Sequence, residues 1–505
     1  MSTPKMTLSA LLEAAGIPLP APPDPDPVIT SVTDNSSQVE PGSLFVATRG
    51  SKTDSHLFIS DAVERGVAAV IVERETPAYR GVPVLRVEDS RDALGRIAHA
   101  FHGNPSADML VIAVSGTNGK TTTTYLLESI LKAAGYNPGV IGTIEYRYAG
   151  RRVEASNTTP SALQIARLLA EMRDAGVNAL AMEASSHAMD QRRISGIRFD
   201  CAILTNVTQD HLDYHGSMEA YAEAKLLLYA DHLLRPGNRK HGRDPVAVFN
   251  RDDHYGAAFA GSFAARHLTF GLEAGADVHA SDVEFLPSGV RFRVDTPDGP
   301  LAVESPLLGM FNVQNILGAL AAALAVGIDR DKVLEGIRTL RNVRGRFEVV
   351  DCGQDFTVVV DYAHTPDALE RIITNARAMT PGRVITVFGC GGDRDNTKRP
   401  IMGRVAATQS DLAILTNDNP RTEDPERIAG MVLEGIRAAG VAEDLYRVVL
   451  DRRAAIGEAI ALARKGDTVL IAGKGHEDYQ ILGTEKVHFD DAEVAREFLA
   501  DRRAG

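Results

Sequence analysis

Short apolar runs alternate with segments of helical periodicity through the middle of the chain. The runs at 109–114, 179–182 and 201–204 are almost entirely aliphatic, and polar residues follow each of them. Segments 121–134 and 217–232 instead carry apolar residues at helical spacing. This alternation predicts an open, mostly parallel sheet, in which ligands bind at the carboxyl ends of the strands.

The first hundred residues show the same alternation on a smaller scale. We predict strands at 42–47, 68–72 and 82–87 and helices near 60–65 and 90–101. The ordered part is expected to begin after a proline-rich segment, 18–27, which we interpret as a poorly ordered spacer. A boundary near Ala107 would make residues 1–107 a small α/β domain.

The last third of the chain changes from β-rich to regularly alternating. Residues 246–303 are predicted to be β-rich, and an alanine-rich helix follows at 309–327. The strands predicted at 356–360, 384–388, 412–416 and 467–472 are typical of a Rossmann-like doubly wound sheet. The fold prediction is therefore α/β with three domains. They are a small α/β domain at 1–107, a central P-loop-type ATPase domain with a β-rich part at 108–345, and a Rossmann-like domain at 346–505.

The first central run leads into the sequence Ser-Gly-Thr-Asn-Gly-Lys-Thr-Thr, residues 115–122, and then into a helix. Glycines at a helix N-terminus let backbone N–H groups surround an anion, and Lys120 adds positive charge. We interpret this segment as a nucleotide-phosphate loop with threonine hydroxyls available to Mg²⁺. The generic P-loop pattern needs a glycine where this chain has Val114, so a shorter Gly-x-x-Gly-Lys-Thr form remains. An ordinary strand-to-helix turn is the alternative.

Polar clusters follow the other central strands. Glu183 ends one strand, and His211 lies in Asp-His-Leu-Asp-Tyr-His, residues 210–215, so both are candidate partners of Mg²⁺ or phosphate. The two histidines four residues apart suggest zinc instead, but the His-Glu-x-x-His pattern of helical zinc sites is absent. In the next helix Tyr221 and Lys225 share one face. Lys225 alone would be interpreted as a solvated surface lysine.

Composition limits the compartment and the partners. The chain has 505 residues, 44% of them hydrophobic and 24% charged, which is typical of a globular protein with several domains. Three widely spaced cysteines and the lack of a signal-type or spanning apolar run predict a cytoplasmic protein without disulfides. The net charge of −13 opposes nonspecific nucleic-acid binding. Small-molecule partners held by glycine loops and placed basic residues are expected.

Polar loops end the four C-terminal strands. They lie at 361–366, 389–395, 417–421 and 473–477, on one predicted edge of the sheet. In the second loop the third glycine of a dinucleotide fingerprint would fall on Arg394, so the pattern argues against a dehydrogenase. Asn312 and Asn315 open the alanine-rich helix, where their amides either pair with a base edge or cap the helix.

Seven segments together resemble the Mur ligase family. They are Gly-Thr-Asn-Gly-Lys-Thr-Thr at 116–122, Asn-Thr-Thr at 157–159, Asp-His-Leu-Asp-Tyr-His at 210–215, Asp-Tyr-Ala-His-Thr-Pro-Asp at 361–367, Gly-Cys-Gly-Gly-Asp-Arg-Asp at 389–395, Asp-Asn-Pro-Arg at 418–421 and Gly-Lys-Gly-His-Glu-Asp-Tyr-Gln at 473–480. They fall in all three predicted domains. The resemblance implies a bacterial enzyme of peptidoglycan precursor synthesis that uses ATP and Mg²⁺ to phosphorylate a carboxylate, which an amine then attacks.

The resemblance also implies which residues bind ATP and metal. The implied catalytic residues are Lys120, Glu183, His211 and Lys225, with Lys225 carbamylated to N6-carboxylysine. Mg²⁺ would be held by Thr121, Glu183, His211 and the Lys225 carbamate. The implied ATP contacts are Gly116, Thr117, Asn118, Gly119, Lys120, Thr121, Thr122, Asn312, Asn315, Arg346 and Asp361.

Two further sets follow for the UDP-muramoyl-dipeptide substrate. In the N-terminal domain the implied contacts are Asp34, Ser36, Ser51, Lys52 and Thr53. In the central domain they are Asn157, Thr158, Thr159, Ser185, Gln191 and Arg193. Related enzymes often carry Asp-Ser-Arg where this chain has Asn-Ser-Ser at 35–37, so the uridine contacts are expected to differ here.

The amine substrate is implied by Asp-Asn-Pro-Arg, which in this family marks members that add meso-diaminopimelate to UDP-N-acetylmuramoyl-L-alanyl-D-glutamate. Diaminopimelate has a second carboxylate where lysine has only hydrogen, and Arg421 can clamp that carboxylate bidentately. Lysine would leave the guanidinium unpaired. The implied contacts are Arg394, Asp418, Asn419, Pro420, Arg421, Gly473 and Glu477, with Glu477 suited to an ammonium group.

Two other functions stay open. A folylpolyglutamate synthase would share the ATP loop but should lack the segments at 418–421 and 473–480. A non-catalytic nucleotide-binding protein would release no phosphate with all substrates present. The default expectation is a monomer whose domains close before chemistry.

Overall fold

The computed structural model describes residues 5–19, 21–50, 53–240, 242–286 and 289–504. The chain forms two compact units. The first comprises 1–281, 294–301 and 314–337, and the second comprises 282–293, 302–313 and 338–505. These units do not follow the predicted boundaries at 107 and 345, and the three-domain division stays a prediction.

The N-terminal part of the first unit is a small parallel sheet with helices. Its elements are β1 (Met6–Thr7), α1 (Leu8–Ala14), β2 (Val28–Ile29), β3 (Ser31–Thr33), β4 (Ser43–Val46), α2 (Ile59–Glu64), β5 (Ala69–Val72), β6 (Val84–Arg86) and α3 (Ser90–Phe101). Strands β3-β4-β5-β6 are parallel neighbours in that order, while β1 pairs antiparallel with β2. The predicted strands and both predicted helices are confirmed.

Helix α1 corrects the prediction that the ordered domain begins after the proline-rich segment. Leu8, Leu11 and Leu12 are buried in one core with Ile97 of α3. Their spacing of three and four residues places them on one helical face, and the Thr7 side chain accepts a hydrogen bond from the Ala10 amide at the start of the helix. The helix was missed because its seven residues, about two turns, give only a weak periodic signal.

The central part of the chain follows in a longer alternation. Its elements are β7 (Leu110–Ser115), α4 (Lys120–Ala133), β8 (Pro138–Ile141), β9 (Glu145–Tyr148), β10 (Arg151–Glu154), α5 (Ala162–Asp174), β11 (Ala179–Glu183), α6 (Ser186–Asp190), β12 (Cys201–Leu204), α7 (Leu212–His215), α8 (Met218–Leu227), β13 (Val246–Asn250), α9 (His254–Ser262), β14 (His267–Gly271), β15 (Val278–Leu286), β16 (Gly289–Asp295), β17 (Leu301–Ser305), α10 (Met310–Ala325) and α11 (Arg330–Thr339).

The sheet of the first unit places the phosphate-loop strand at its centre. Its strand order is β10-β9-β8-β11-β7-β12-β13-β14, joined at the end by the first residues of β15. Strand β7 is parallel to both β11 and β12, so the polar loops after these three strands start from the same edge. The stretch 246–303 is β-rich as predicted, since it contains β13 to β16 and the start of β17, but the unpredicted helix α9 lies between β13 and β14, with Asp253 capping its first turn.

The second unit contains the predicted doubly wound sheet. Its C-terminal elements are β18 (Glu348–Val349), β19 (Thr357–Asp361), α12 (Pro366–Met379), β20 (Val384–Phe388), α13 (Lys398–Gln409), β21 (Leu412–Leu415), α14 (Pro425–Ala438), β22 (Tyr446–Val448), α15 (Arg452–Leu462), β23 (Thr468–Ala472), β24 (Tyr479–Leu482), β25 (Glu485–His488) and α16 (Asp491–Ala504). The order is β18-β19-β23-β20-β21-β22, parallel except for β18. All four predicted strands are confirmed.

Apolar residues on both faces of this sheet explain why its strands are continuous hydrophobic runs. Val359 and Leu470 point into one core with helices α12 to α14, while Val358 and Ile471 point into another with α15 and α16. No helix in the ranges that the structure describes is long and apolar enough to cross a membrane.

Candidate active site

The loop between β7 and α4 has the backbone that a phosphate cradle needs. Gly116 and Gly119 have φ values of 145° and 85°, where a side chain is strained. A Cβ on Gly119 would overlap Asn315 Oδ1, and one on Gly116 would overlap Thr205 Oγ1. Lys120 begins the helix, and its Nζ donates to the carbonyl oxygens of Gly116 (2.9 Å) and Thr117 (2.8 Å). The first-turn amides of α4 therefore point out of a loop that closes only with glycine at both positions.

Asn206, at the end of β12, holds this loop in place. Its carbonyl oxygen accepts from the Thr117 amide at 2.8 Å, and its side-chain oxygen accepts from the Asn118 amide at 2.9 Å. Thr205 Oγ1 donates to the Asn118 carbonyl at 2.6 Å. Two loop amides, those of Thr117 and Asn118, are thus used to hold the loop itself. Sequence reasoning missed Asn206, although it opens a polar cluster that we had noted after this strand.

Thr121 and Thr122 follow Lys120 on the first turn of α4, and each is only 5% exposed. Their hydroxyl groups lie at the start of the helix, as the sequence predicted. The Thr121 carbonyl accepts from Thr124 Oγ1 at 2.8 Å.

Glu183 ends β11 with its side chain fully buried. Its two carboxylate oxygens accept from the Thr143 amide (3.0 Å) and hydroxyl (2.9 Å), and its own carbonyl accepts from Thr159 Oγ1. Glu183 pairs across the sheet with Val114, one residue before the end of β7. The structure therefore places a fixed carboxylate beside the strand that carries the phosphate loop, as predicted.

Lys225 is not a surface residue. It lies on α8, which begins after the capping side chain of Ser217, and its side chain is 1% exposed with Nζ 4.5 Å from the centre of the Tyr221 ring. Burial, together with the nearby charge of Lys120, holds the pKa of Lys225 well below its usual value. A neutral amine at this position is nucleophilic, unlike an ordinary lysine ammonium.

His211, just before α7, lies near the charges of Lys120 and Lys225. Its φ of 53° is left-handed, and Asp210 Oδ2 lies 3.5 Å from its Nε2. Burial lowers its pKa, and the charges of Lys120 and Lys225 add to this effect whereas Asp210 opposes it. The His187 ring is 4.8 Å from the His211 ring, centre to centre.

Five of the six residues predicted for the muramoyl-peptide substrate are linked by hydrogen bonds, some of them through Thr143 and Glu183, and the sixth, Asn157, adjoins Thr158 in the chain. Arg193 donates from Nη1 to the Thr159 carbonyl (3.0 Å) and from Nη2 to Gln191 Oε1 (2.6 Å). Thr159 Oγ1 accepts from the Ser185 amide at 3.1 Å. Next to Thr159, the Thr158 hydroxyl contacts that of Thr143, and the Asn157 carbonyl accepts from the Tyr146 hydroxyl. These contacts link the group to the residue that holds Glu183.

The N-terminal set is only partly described. Ser51 and Lys52 lie outside the described residues, and Thr53 is exposed. Asp34 follows β3, and burial raises its pKa. Ser36 lies in a short 3₁₀ turn that the Asn35 side chain caps by accepting from the Ser37 amide.

In the second unit, Asp361 joins two turns. Its carboxylate accepts from the amides of Phe347 (2.7 Å) and Ala363 (2.8 Å). Burial raises its pKa, although the charge of Arg346 opposes this. The guanidinium of Arg346 lies 4.9 Å from the centre of the Tyr362 ring. Asn312, buried in the same unit, donates from Nδ2 to the Leu308 carbonyl at 2.8 Å, and its contact with the nucleotide stays a prediction.

The residues predicted for the amine substrate converge at the ends of β21 and β23. Asn419 Nδ2 donates to Glu477 Oε2 at 2.9 Å, and Lys474 Nζ donates to the same oxygen at 3.1 Å. Arg421 Nη1 donates to the carbonyls of Gly392 (2.7 Å) and Asn419 (3.5 Å).

Gly473 has a φ of 119°, and a Cβ there would lie 2.9 Å from Asp418 Oδ2. Pro420 follows Asn419 in the same loop, and its carbonyl is so close to Gly392 that no side chain would fit there. Arg394 is exposed, with Nη1 3.4 Å from the Asp393 carbonyl.

Two buried cations that sequence reasoning missed support this arrangement. Lys474 is fully buried, although its segment had been noted. Arg452 pairs with Asp491, both fully buried, and donates to the carbonyls of Asn417 and Ala472 at the ends of the two strands. The pair has no local sequence signal, because its members are 39 residues apart.

Comparison with known proteins identifies the family of the chain. Three stretches match families described as "Mur ligase family, catalytic domain" (28–102), "Mur ligase middle domain" (114–323) and "Mur ligase, glutamate ligase domain" (345–475). A UDP-N-acetylmuramoyl-L-alanyl-D-glutamate--2,6-diaminopimelate ligase of Geobacillus thermodenitrificans is 45% identical over 479 residues, 95% of this chain and 96% of its own length. The chain belongs to the Mur ligase family.

Other Mur ligases extend the match to the full length. A ligase of the same name from Gloeobacter violaceus is 45% identical over 503 residues, 99% of both chains. A solved structure with this enzyme name has a TM-score of 0.72 at 33% identity and covers 99% of this chain and 100% of its own. The folylpolyglutamate synthase of Mycobacterium tuberculosis, solved with ADP and AMPPCP, has a TM-score of 0.59 at 19% identity over 74% of this chain and 91% of its own, which shows the fold alone.

Proposed function

We propose that this chain joins meso-diaminopimelate to the D-glutamate γ-carboxyl of UDP-N-acetylmuramoyl-L-alanyl-D-glutamate and consumes one ATP. The terminal phosphate of ATP passes to the carboxylate and forms an acyl phosphate and ADP. The amine then attacks the acyl carbon through a tetrahedral intermediate, which expels inorganic phosphate and leaves the new amide. The names of relatives 43–46% identical to this chain support the proposal.

The observation that carries the choice of amine is the cluster around Asn419. Asn419 contacts both Arg421 and Glu477. The guanidinium of Arg421 can bind a carboxylate, and the carboxylate of Glu477 can bind an ammonium group. In the part of the chain that the structure describes, Nε and Nη2 of Arg421 have no protein acceptor, so the three N–H groups on these two nitrogen atoms remain for a ligand. A diamino diacid has a carboxylate for Arg421 and an ammonium group for Glu477.

The phosphate loop fits ATP because its shape depends on glycine. Lys120 and the first-turn amides of α4 would hold the phosphates, and the helix dipole favours their negative charge. Lys120 Nζ would exchange its present carbonyl partners for phosphate oxygens and so stabilise the charge that moves during transfer. The contacts of Asn312, Asn315, Arg346 and Asp361 with the nucleotide stay predictions from the family resemblance.

The donor set also fits Mg²⁺, a hard cation that prefers oxygen ligands. Glu183 has a fixed carboxylate, Thr121 a hydroxyl on the first turn of α4, and His211 an imidazole that its lowered pKa keeps neutral. When bound, the metal ion neutralises phosphate charge during transfer. Lys225 would join this set as a carbamate, formed when its neutral amine attacks carbon dioxide. That modification releases one proton and turns a buried neutral amine into a buried carboxylate.

The group around Arg193 would orient the substrate carboxylate. Arg193 is already fixed by Thr159 and Gln191, so its guanidinium is rigid before substrate arrives. Burial lowers its pKa without removing its charge at neutral pH. Thr159 reaches the Glu183 carbonyl, which links this group directly to the strand end that carries the metal-binding carboxylate.

A substrate panel tests the proposal. Phosphate release is measured with ATP, Mg²⁺ and UDP-N-acetylmuramoyl-L-alanyl-D-glutamate, to which meso-diaminopimelate, L-lysine or D-alanyl-D-alanine is added singly. We expect release with diaminopimelate to exceed release with lysine by at least tenfold and none with D-alanyl-D-alanine. Equal rates with lysine would contradict the assigned amine, and no release with any amine would contradict the ligase activity.

A further inference from the structure

An ion pair between the buried Arg399 and the partly exposed Glu423 joins the two loops that carry Arg394 and Arg421. Arg399, on the first turn of α13, is 1% exposed and pairs bidentately with Glu423, at 2.9 Å from Nη1 to Oε2 and 2.8 Å from Nη2 to Oε1. Glu423 lies two residues after Arg421 in the chain. Neither residue of the pair belongs to the predicted amine-binding set.

The pair is bonded to the backbone of the opposite loop. Arg399 Nη2 also donates to the Gly391 carbonyl at 3.1 Å, and Glu423 Oε1 accepts from the Asp393 amide at 2.5 Å. Asp393 precedes Arg394 directly. One guanidinium–carboxylate unit therefore fixes the loop of Arg394 against the loop of Arg421.

Two further hydrogen bonds between these loops depend on the same distance between them. Gly392 N donates to the Asn419 carbonyl at 2.9 Å, and Arg421 Nη1 donates back to the Gly392 carbonyl at 2.7 Å. Asp393 and Arg421 both have left-handed backbones, with φ values of 52° and 54°. Side chains rarely adopt this conformation unless surrounding bonds impose it. The Arg399–Glu423 pair supplies such bonds to the backbone at Gly391 and Asp393.

We propose that Arg399 and Glu423 form a positioning pair that sets the spacing of Arg394 and Arg421 and thereby the preference for an amine with a second carboxylate. The inference rests on the proposed function, because it assumes that these two arginines bind the amino-acid substrate. Neither Arg399 nor Glu423 contacts the substrate in this assignment. A displacement of about 1 Å at a bidentate clamp lowers the rate about a hundredfold, so a small shift of either loop is sufficient.

Glu423→Gln tests the pair. Glutamine keeps the shape and an acceptor for the Asp393 amide but removes the charge that holds Arg399. We expect the KM for diaminopimelate to rise about tenfold and the ratio of kcat/KM for diaminopimelate over lysine to fall about fivefold, while the KM for ATP stays within twofold. Unchanged KM and unchanged ratio in the folded variant would overturn the inference.

Asp467→Asn is the matched control. Asp467 lies just before β23, at the opposite end of the strand from Gly473, and accepts from Arg383 Nη2 at 2.7 Å and from the Arg383 amide at 2.8 Å. Asp467→Asn also removes one carboxylate charge that pairs with an arginine, so it should lower Tm about as much as Glu423→Gln does. It should leave the preference for diaminopimelate over lysine as in the wild-type enzyme. An equal loss of preference in the control would show that general destabilisation is responsible and would also overturn the inference.

Glu423→Asp covers the case in which Glu423→Gln does not fold. Aspartate keeps the charge for Arg399 but shortens the side chain by one methylene, so the loops must shift to keep the pair. We expect a wild-type Tm with a lowered diaminopimelate preference, and a wild-type preference would count against the pair. The wild-type enzyme is measured alongside: if it does not prefer diaminopimelate, the proposed function fails, whatever the variants do.

Discussion

Replacement of Arg421 by alanine tests most directly which amine the enzyme selects. In the structure Arg421 Nη1 is used by the Gly392 and Asn419 carbonyls, while Nε and Nη2 have no acceptor among the described residues. The left-handed φ of 54° is equally unfavourable for arginine and alanine, so the substitution changes the side chain without a new backbone cost. The variant therefore isolates the guanidinium.

The expected magnitude follows from the bonds that the guanidinium would make. A charge-assisted hydrogen bond to a carboxylate contributes about 1.5–3 kcal/mol. At about 1.4 kcal/mol per factor of ten, its loss lowers kcat/KM for diaminopimelate by roughly 10- to 150-fold. Lysine lacks the second carboxylate and should lose nothing. The ratio between the two amines should fall by the whole factor.

The assay is steady-state phosphate release with each amine varied at saturating ATP and muramoyl-dipeptide. The exposed Arg404 on α13 gives a control. Arg404→Ala also removes one positive charge from the second unit, but it should change kcat/KM for neither amine. The KM for ATP should stay constant in both variants. If Arg421→Ala keeps the wild-type ratio of diaminopimelate to lysine, the clamp does not exist.

Two further predictions concern the first unit. Gly119→Ala should raise the KM for ATP at least about tenfold, because its Cβ would overlap Asn315 Oδ1. The control is Gly135→Ala, which has a similar φ of 83° but no atom within 4 Å of its Cβ, and which should leave the KM for ATP unchanged. Equal KM values for ATP in the two variants would refute the steric argument. His99 is fully buried, neither ring nitrogen has a partner among the described residues, and burial, with the charge of His102 adding to it, lowers its pKa to about 3. Below pH 6.5 the unfolded chain takes up a proton that the folded state refuses, so stability should fall by up to about 1.4 kcal/mol per pH unit, and His99→Leu should flatten the decline of Tm between pH 6.5 and 5. An unchanged slope would contradict this assignment.

The strands and their polar ends could be predicted because both signals are local. A buried parallel strand requires a continuous apolar run, and its carboxyl end requires polar or glycine residues where the chain turns toward a ligand. Glu183 and Asp361 were found in this way, each as the last residue of its strand. The interruption of the β-rich region by α9 was not found, since a nine-residue helix rich in alanine and glycine has little periodic contrast.

Residues that hold one loop against another could not be predicted from local pattern. Asn206 fixes the phosphate loop from 88 residues away, and Arg452 joins the ends of two strands through its pair with Asp491. The role of each residue depends on which backbone carbonyls and amides lie close to its side chain in the folded protein. That proximity in turn depends on the order of strands in the sheet. A single sequence contains no periodicity that reports that order.

Lys474 shows how a sequence pattern can identify a site while leaving the role of a residue open. A lysine between two glycines suggests a flexible cation that reaches an anionic ligand. Instead its side chain is fully buried, and Nζ donates to Glu477 at 3.1 Å and to Asn419 Oδ1 at 3.3 Å. The lysine places a positive charge beside the Glu477 carboxylate, which lowers the net negative charge that an incoming diacid meets in the cluster. We therefore expect selectivity for the amine to depend on this buried cation as well as on Arg394 and Arg421.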